Sequence, residues 1–213
     1  MKKLSGLPER GTLMKAVLAL FLAAVIAFPL AGCIVESLNP YYTKESVSVF
    51  PGIAGEWTLV DERGMPRADR PWAFAADRII TYDKNGTSGT LKVVSFRIGE
   101  SFFLDTTVDE PGAGTTEWWT MHVFPAHVLT KAQIRDGRLM LMPLDYGILE
   151  EAIRKGAVKL PHIRPKDEDA ILFTASSEEW MDFLKKNLKD PVLFSEKNAL
   201  HFIRHTEGAG KTP

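Results

Sequence analysis

The alternation of apolar and polar residues in residues 51–142 predicts a series of β-strands. In residues 90–98, for example, Leu91 and Val93 face the opposite side from Phe96. The predicted strands are residues 56–60, 73–82, 90–98, 102–104, 118–123, 128–134 and 139–142. Short turn signals separate several of them at Asn85-Gly86, Gly99-Glu100 and Asp136-Gly137. Consecutive hairpins of this kind predict an antiparallel meander that closes into a barrel or forms a strongly curved sheet.

Helical periodicity appears only in the C-terminal half of the chain. Residues 145–155 predict a short helix with one apolar face, and Gly156 is its stop signal. Ser176 and Glu179 form a capping-box pattern at the start of a second helix, which Pro191 ends. The apolar stripe of that second helix consists of Trp180, Phe183, Leu184 and Leu188. Residues 171–174 and 200–204 predict two further strands, so the fold class is mainly β (α+β) with two short helices.

The motif Gly55-Glu56-Trp57 opens the first predicted strand of the domain. It resembles the G-x-W signature of lipocalins and related calycin barrels. The resemblance implies that Trp57 closes the bottom of a lipocalin-like barrel, and that the open end binds small apolar molecules. Another antiparallel α+β arrangement is the alternative.

The first 33 residues have the features of a bacterial lipoprotein signal. A basic beginning precedes an uncharged apolar run over residues 16–30, which is shorter than the ~20 residues needed to span a bilayer. The sequence Leu30-Ala31-Gly32-Cys33 matches the lipobox. The resemblance implies cleavage between Gly32 and Cys33, and a membrane anchor in which a diacylglycerol thioether forms on Cys33. An ordinary signal peptide or an uncleaved anchor is the alternative.

The cysteine count and the net charge bear on disulfide bonds and on nucleic-acid binding. Cys33 is the only cysteine, so the exported domain has no disulfide framework. Without residues 1–32 the chain keeps 22 basic and 26 acidic residues, a formal net charge of −4. It has no basic block, which argues against nucleic-acid binding. Ile34 after the cysteine favours the periplasmic face of the outer membrane over the inner membrane.

These features divide the chain into four parts. Residues 1–32 are the predicted signal peptide, and residues 33–50 are a lipidated tether. Residues 51–205 are a single β-rich domain, followed by a disordered tail over residues 206–213.

The candidate catalytic and metal-binding residues form no recognised motif. His201 and His205 lie four apart in a predicted strand, about 13 Å along its axis, which is too far for one metal ion. The histidines otherwise match no zinc motif, so we expect no metal and no cofactor. Three carboxylates lie close together in sequence near the end of a predicted strand: Asp105, Asp109 and Glu110. A pair of them could act in acid–base catalysis, and Asp145 is a further candidate for the same role. A solvated loop is the simpler interpretation of that cluster.

The adjacent tryptophans Trp118 and Trp119 are the most unusual local feature. Neighbouring residues of a strand face opposite sides, so one ring enters the core and the other faces outward. The outward ring either contributes to a ligand site or covers a barrel edge by packing.

Together these observations favour a non-catalytic binding or accessory module at the cell envelope. Its expected partners are the membrane, through the lipid, and a small apolar ligand or an envelope protein. The first alternative is a structural scaffold with a filled core, in which the helix of Trp180 plugs the barrel mouth. The second is an envelope hydrolase that uses Asp105 with a histidine, which requires the two side chains to lie within hydrogen-bonding reach.

Overall fold

The computed structural model describes residues 34–67, 70–82, 86–109, 125–164 and 171–206. All of them belong to one compact unit, Cys33–Pro213. The described strands are β1 Glu36–Ser37, β2 Gly55–Val60, β3 Trp72–Phe74, β4 Arg78–Tyr82, β5 Ser88–Ile98, β6 Ser101–Val108, β7 His127–Arg135, β8 Arg138–Pro143, β9 His162–Ile163, β10 Leu172–Phe173 and β11 Leu200–Arg204. The two α-helices are α1 Tyr146–Arg154 and α2 Ser177–Asn187.

Eight strands form a closed antiparallel barrel. Strands β2 to β8 pair in chain order, and β11 pairs with both β8 and β2 to close the ring. The predicted fold class is therefore confirmed. The prediction of a single strand over residues 73–82 was wrong, because the chain reverses between Phe74 and Arg78 and forms β3 and β4.

The two ends of the barrel differ in the length of their connections. At one end, here called the turn end, residues 75–77, 99–100 and 136–137 join successive strands. Asp136 and Gly137 both have positive φ, as a tight hairpin turn requires. At the other end, here called the loop end, the connections are residues 61–71, 83–87, 109–126 and 144–199.

Inward-facing side chains from all eight barrel strands form one hydrophobic cluster, here called the barrel cluster. Its fully buried strand members are Trp57, Phe74, Ile79, Val93, Leu104, Ala132, Leu139, Leu141 and Phe202. A second cluster, here called the outer cluster, lies on the outer face of the sheet, against α1 and α2. Phe96 and Ile98 belong to the second cluster and Leu91 to the first, so the predicted alternation along β5 is confirmed.

The segment after Cys33 is part of the fold, so the predicted tether over residues 33–50 was wrong from Ile34 onwards. Strand β1 lies between β7 and β10, antiparallel to the first and parallel to the second. Val35 and Tyr41 are buried in the outer cluster. The two-residue strand is too short to produce a detectable period, which is why the sequence pattern did not show it.

The end of α1 and the start of α2 agree with the sequence prediction, whereas the N-cap role of Asp145 was not predicted. The Asp145 carboxylate accepts the Ile148 amide at the start of α1, and Gly156 with positive φ follows its end. Ser176 and Glu179 form the predicted reciprocal capping box of α2.

The interpretation of Trp180 as a plug of the barrel mouth was wrong. This ring packs outside the barrel, with centroids 4.6 Å from Tyr41 and 5.1 Å from Phe173. Helix α2 therefore covers the N-terminal segment.

Candidate functional site

The turn end of the barrel is closed by the segment that precedes β2. Phe50 and Ile53 of this segment are buried in the barrel cluster, and Phe50 stacks on Phe102 at 4.8 Å. The Trp57 indole Nε1–H donates to the carbonyl of Ile53 over 2.7 Å. Trp57, predicted as a ligand or packing aromatic, therefore lies in the closed end and fixes the segment that closes it.

Arg204 completes this closure and was missed by sequence reasoning. Its guanidinium lies 4.1 Å from the centroid of the Trp57 ring and donates to the carbonyls of Gly52 and Ala54, both over 2.7 Å. Arg204 and Trp57 are direct partners in the β11–β2 register. The sequence around Arg204 does not indicate its partner, because Arg204 and Trp57 lie near opposite ends of the domain sequence.

The loop end has no comparable cover in the described part of the chain. Apart from Phe50 and Ile53, every described member of the barrel cluster comes from a barrel strand. The members of the barrel cluster nearest the loop end are only half-buried: Leu59, Trp72, Leu91 and Leu200. The barrel therefore presents an apolar lining towards its loop end.

A second candidate site lies outside the barrel, where Asp105 and His127 form a close pair. The Nδ1 atom of His127 lies 2.7 Å from Oδ1 of Asp105, so the ring donates to the carboxylate. The other carboxylate oxygen accepts the backbone amide of Tyr41 over 2.9 Å. Asp105 is only 3% exposed, and these two donors satisfy both oxygens of its buried carboxyl group.

The buried tyrosine beside this pair is strongly perturbed. Burial raises the pKa of the Tyr41 phenol well above its usual value, and the negative charges of Asp105 and Glu36 add to the rise. The phenol donates to the carbonyl of Val35 over 3.2 Å. Burial also raises the pKa of Tyr42, again with a contribution from Asp105.

The Asp105–His127 pair meets the distance requirement of the hydrolase hypothesis, but the serine opposite His127 is not an accessible nucleophile. Ser37 is opposite His127 in the β1–β7 register, yet it is fully buried. Its hydroxyl accepts hydrogen bonds from the Trp180 indole at 2.9 Å and the Asn39 amide at 3.2 Å. The contacts instead make the pair a clasp between the barrel and the N-terminal segment.

The other predicted acid–base residues do not join this pair. Asp105 lies within β6 and not in a solvated loop, so the simpler interpretation of the cluster was wrong for it. Asp109 forms an ion pair with Lys92 at 3.0 Å, and Asp145 caps α1. Among the described residues, no group of three histidine, cysteine, aspartate or glutamate side chains is placed to hold a metal ion.

Several predicted residues lie outside the described residues. These are Gly32 and Cys33 of the lipobox, Glu110, and Trp118 and Trp119 with the rest of the predicted strand over residues 118–123.

A groove of about 450 Å³ lies on the outer surface between α2, the turn after β5 and the 3₁₀ helix Lys44–Ser46. Its lining includes Glu45, Arg97 and Lys185 beside the apolar Ile98 and Met181. Charges of both signs in an open groove define no single ligand chemistry.

Comparison with protein families, with curated proteins and with solved structures finds no match to this chain. None of the described helices is long and apolar enough to cross a lipid bilayer.

Proposed function

We propose that this protein is a lipid-anchored envelope protein that binds a small apolar ligand through the loop end of its barrel, without catalysis. The observation that carries the proposal is the asymmetry of the barrel cluster. Phe50 and Ile53 cover its turn end, whereas its half-buried members at the loop end have no described cover. Binding sites for small molecules are concave and mostly apolar, with few polar groups, and the mouth of a barrel is one of their usual positions.

The anchor part of the proposal rests on the lipobox that ends at Cys33. The described fold begins at the next residue, where Ile34 forms a bridge to Asp145. Lipid on Cys33 would therefore attach to the domain without a flexible linker. Asp145 follows the loop-end terminus of β8, so the anchor point lies beside the proposed entrance.

Binding of an uncharged, environment-sensitive fluorescent probe tests the ligand part. Residues 33–213 suit this assay, because they form a compact unit and both hydrophobic clusters lie within them. Leu200→Gln places an amide in the lining at the loop end and should raise the Kd of the probe about tenfold, a loss of about 1.4 kcal/mol. The control His201→Gln alters the next, outward-facing side chain and should leave the Kd within about twofold of wild type. An absence of probe binding to the wild type, or equal effects of the two variants, would contradict the proposal.

A structural scaffold is the second candidate function. It is favoured by the many buried aromatic and aliphatic side chains of the barrel cluster, among them Trp57, Phe74 and Phe202. A scaffold predicts a stoichiometric envelope partner in cross-linking of intact cells, and no saturable binding of the apolar probe.

A further inference from the structure

The hydroxyl of Thr130 faces the interior of the barrel. Thr130 pairs with Leu104 of β6 on one side and with Pro143 of β8 on the other. Leu104 belongs to the barrel cluster, and so does Ala132, which is two residues further along β7. Because side chains alternate along a strand, Thr130 points to the same side as both.

This hydroxyl is fully buried and has no hydrogen-bond partner. Other hydroxyls on the inward side of neighbouring strands are paired with backbone carbonyls. Thr106 donates to Val128 over 3.3 Å, and Ser95 donates to Ser48 over 2.7 Å. A buried polar group that lacks a partner costs about 1–3 kcal/mol, so an unpaired hydroxyl in a packed barrel requires an explanation.

The side chains around this hydroxyl are apolar. Leu104 and Leu141 lie beside Thr130 and are buried, whereas Val128, the next inward residue towards the loop end, is half-buried. Two charged residues occupy inward register positions of the described strands, both near the turn end: Arg204, which contacts Trp57, and Arg97, whose exposed side chain lines the outer groove. The lining at Thr130 therefore offers one unpaired hydroxyl and no charge, beside the Thr106 hydroxyl that already donates to Val128.

We propose that Thr130 is the polar contact of the barrel ligand, and that the ligand is a neutral chain-bearing amphiphile with a single hydroxyl or carbonyl oxygen. A ligand oxygen that bonds to the threonine hydroxyl removes the cost of the unpaired group, while the chain contacts the surrounding leucines and valine. A carboxylate ligand would lack a cation at this position. This inference rests on the proposed function and specifies the chemistry of its ligand.

Two probe ligands of equal chain length, 1-octanol and 1-chlorooctane, test the contact by displacement of the fluorescent probe from residues 33–213. Thr130→Val removes the hydroxyl and keeps the shape of the side chain. It should weaken 1-octanol about tenfold, as expected for one lost hydrogen bond, and leave 1-chlorooctane within about twofold. Thr130→Ser keeps the hydroxyl and should retain the preference for the alcohol.

Thr106→Val is the matched control, because it removes an inward hydroxyl that already has a partner. It should leave the ratio of the two affinities unchanged. In the absence of ligand, Thr130→Val should raise the melting temperature, whereas Thr106→Val should lower it. If Thr130→Val weakens both ligands equally or neither, the assignment of Thr130 is wrong and the binding proposal stands. If neither ligand binds the wild type, both are wrong.

Discussion

Gly55 lies where β2 begins, directly against the guanidinium of Arg204. Its φ is +121°, and a Cβ added to it would lie 2.5 Å from Nη1 of Arg204. The glycine of the Gly55-Glu56-Trp57 motif is therefore needed for two reasons, its backbone conformation and the close approach of Arg204.

Gly55→Ala should lower the free energy of unfolding by about 2–3 kcal/mol, because it combines backbone strain with displacement of Arg204 from Trp57. Chemical denaturation measures this change. Gly64→Ala is the control, since Gly64 has a φ of +80° with no atom within 4 Å of the added carbon. It should cost only about 1 kcal/mol. Equal losses in the two variants would show that the contact with Arg204 has no energetic role.

Tyr41 makes stability sensitive to alkaline pH. Its pKa is raised in the folded state, first by burial and then by the charges of Asp105 and Glu36. Above pH ~10 the unfolded chain releases the phenol proton while the folded chain retains it. The free energy of unfolding should therefore fall as the pH rises above about 10.

Tyr41→Phe should be less stable at pH 8, because it loses the hydrogen bond to Val35, but its stability should fall less between pH 8 and pH 11. Denaturation at both values measures this slope. Tyr42→Phe, at a less buried phenol, should keep most of the wild-type slope. If the stability of Tyr41→Phe falls between pH 8 and pH 11 as much as that of the wild type, the Tyr41 phenol is not the cause of the pH dependence.

At the scale of residues, the sequence predicted caps and turns well because these depend on neighbours in the chain. Ser176 with Glu179 and Asp136 with Gly137 are examples. The contacts of Arg204 with Trp57 and of His127 with Asp105 join residues far apart in sequence, and their pairing depends on strand register, which no local pattern specifies.

The Asp105–His127 clasp holds the segment that follows β1, because Asp105 also accepts the Tyr41 amide. Asp105→Asn should lower stability by about 2–3 kcal/mol, since the amide leaves one of the two buried donors poorly satisfied. Hydrogen exchange should increase first in residues 34–43 and less in the barrel strands. Asp109→Asn is the control, because its ion pair with the exposed Lys92 should contribute less than about 1 kcal/mol. Uniform loss of protection in Asp105→Asn would mean that the clasp does not act locally.

At the scale of elements, long alternating segments were predictable, whereas among the two-residue strands only β10, within the predicted strand 171–174, was predicted. The strand β5 and both helices follow clear periods, whereas β1 and β9 have two residues each. The division between β3 and β4 was missed because Ala75, Ala76 and Asp77 do not interrupt an otherwise apolar run strongly. Because β1 belongs to the sheet, the described domain begins at Ile34 and not at the predicted Pro51.

At the scale of the whole molecule, an anchor without a linker would fix the orientation of the barrel on the membrane. Val192 is 47% exposed and lies near the predicted anchor point. The next residue, Leu193, accepts the Asp145 amide with its carbonyl, and Asp145 forms the bridge to Ile34. Val49 is 79% exposed and lies near the turn end, next to the Ser48–Ser95 contact. Since Cys33 is the only native cysteine and would carry lipid, a cysteine introduced at either position takes a fluorescent label specifically.

On vesicles with spin-labelled lipids, the label of Val192→Cys should be quenched and the label of Val49→Cys should not. Equal quenching at both positions would contradict a fixed orientation with the loop end towards the bilayer.

We expect the lipid-anchored barrel to carry a neutral, mainly apolar ligand in its host. Native mass spectrometry of the full-length protein extracted from the membranes of its own host measures both parts at once. We expect a polypeptide that begins at Cys33, carries a covalent diacylglycerol, and releases one neutral amphiphile on collisional activation. A chain that retains Met1 and an unmodified Cys33 thiol, without a bound small molecule, would contradict it.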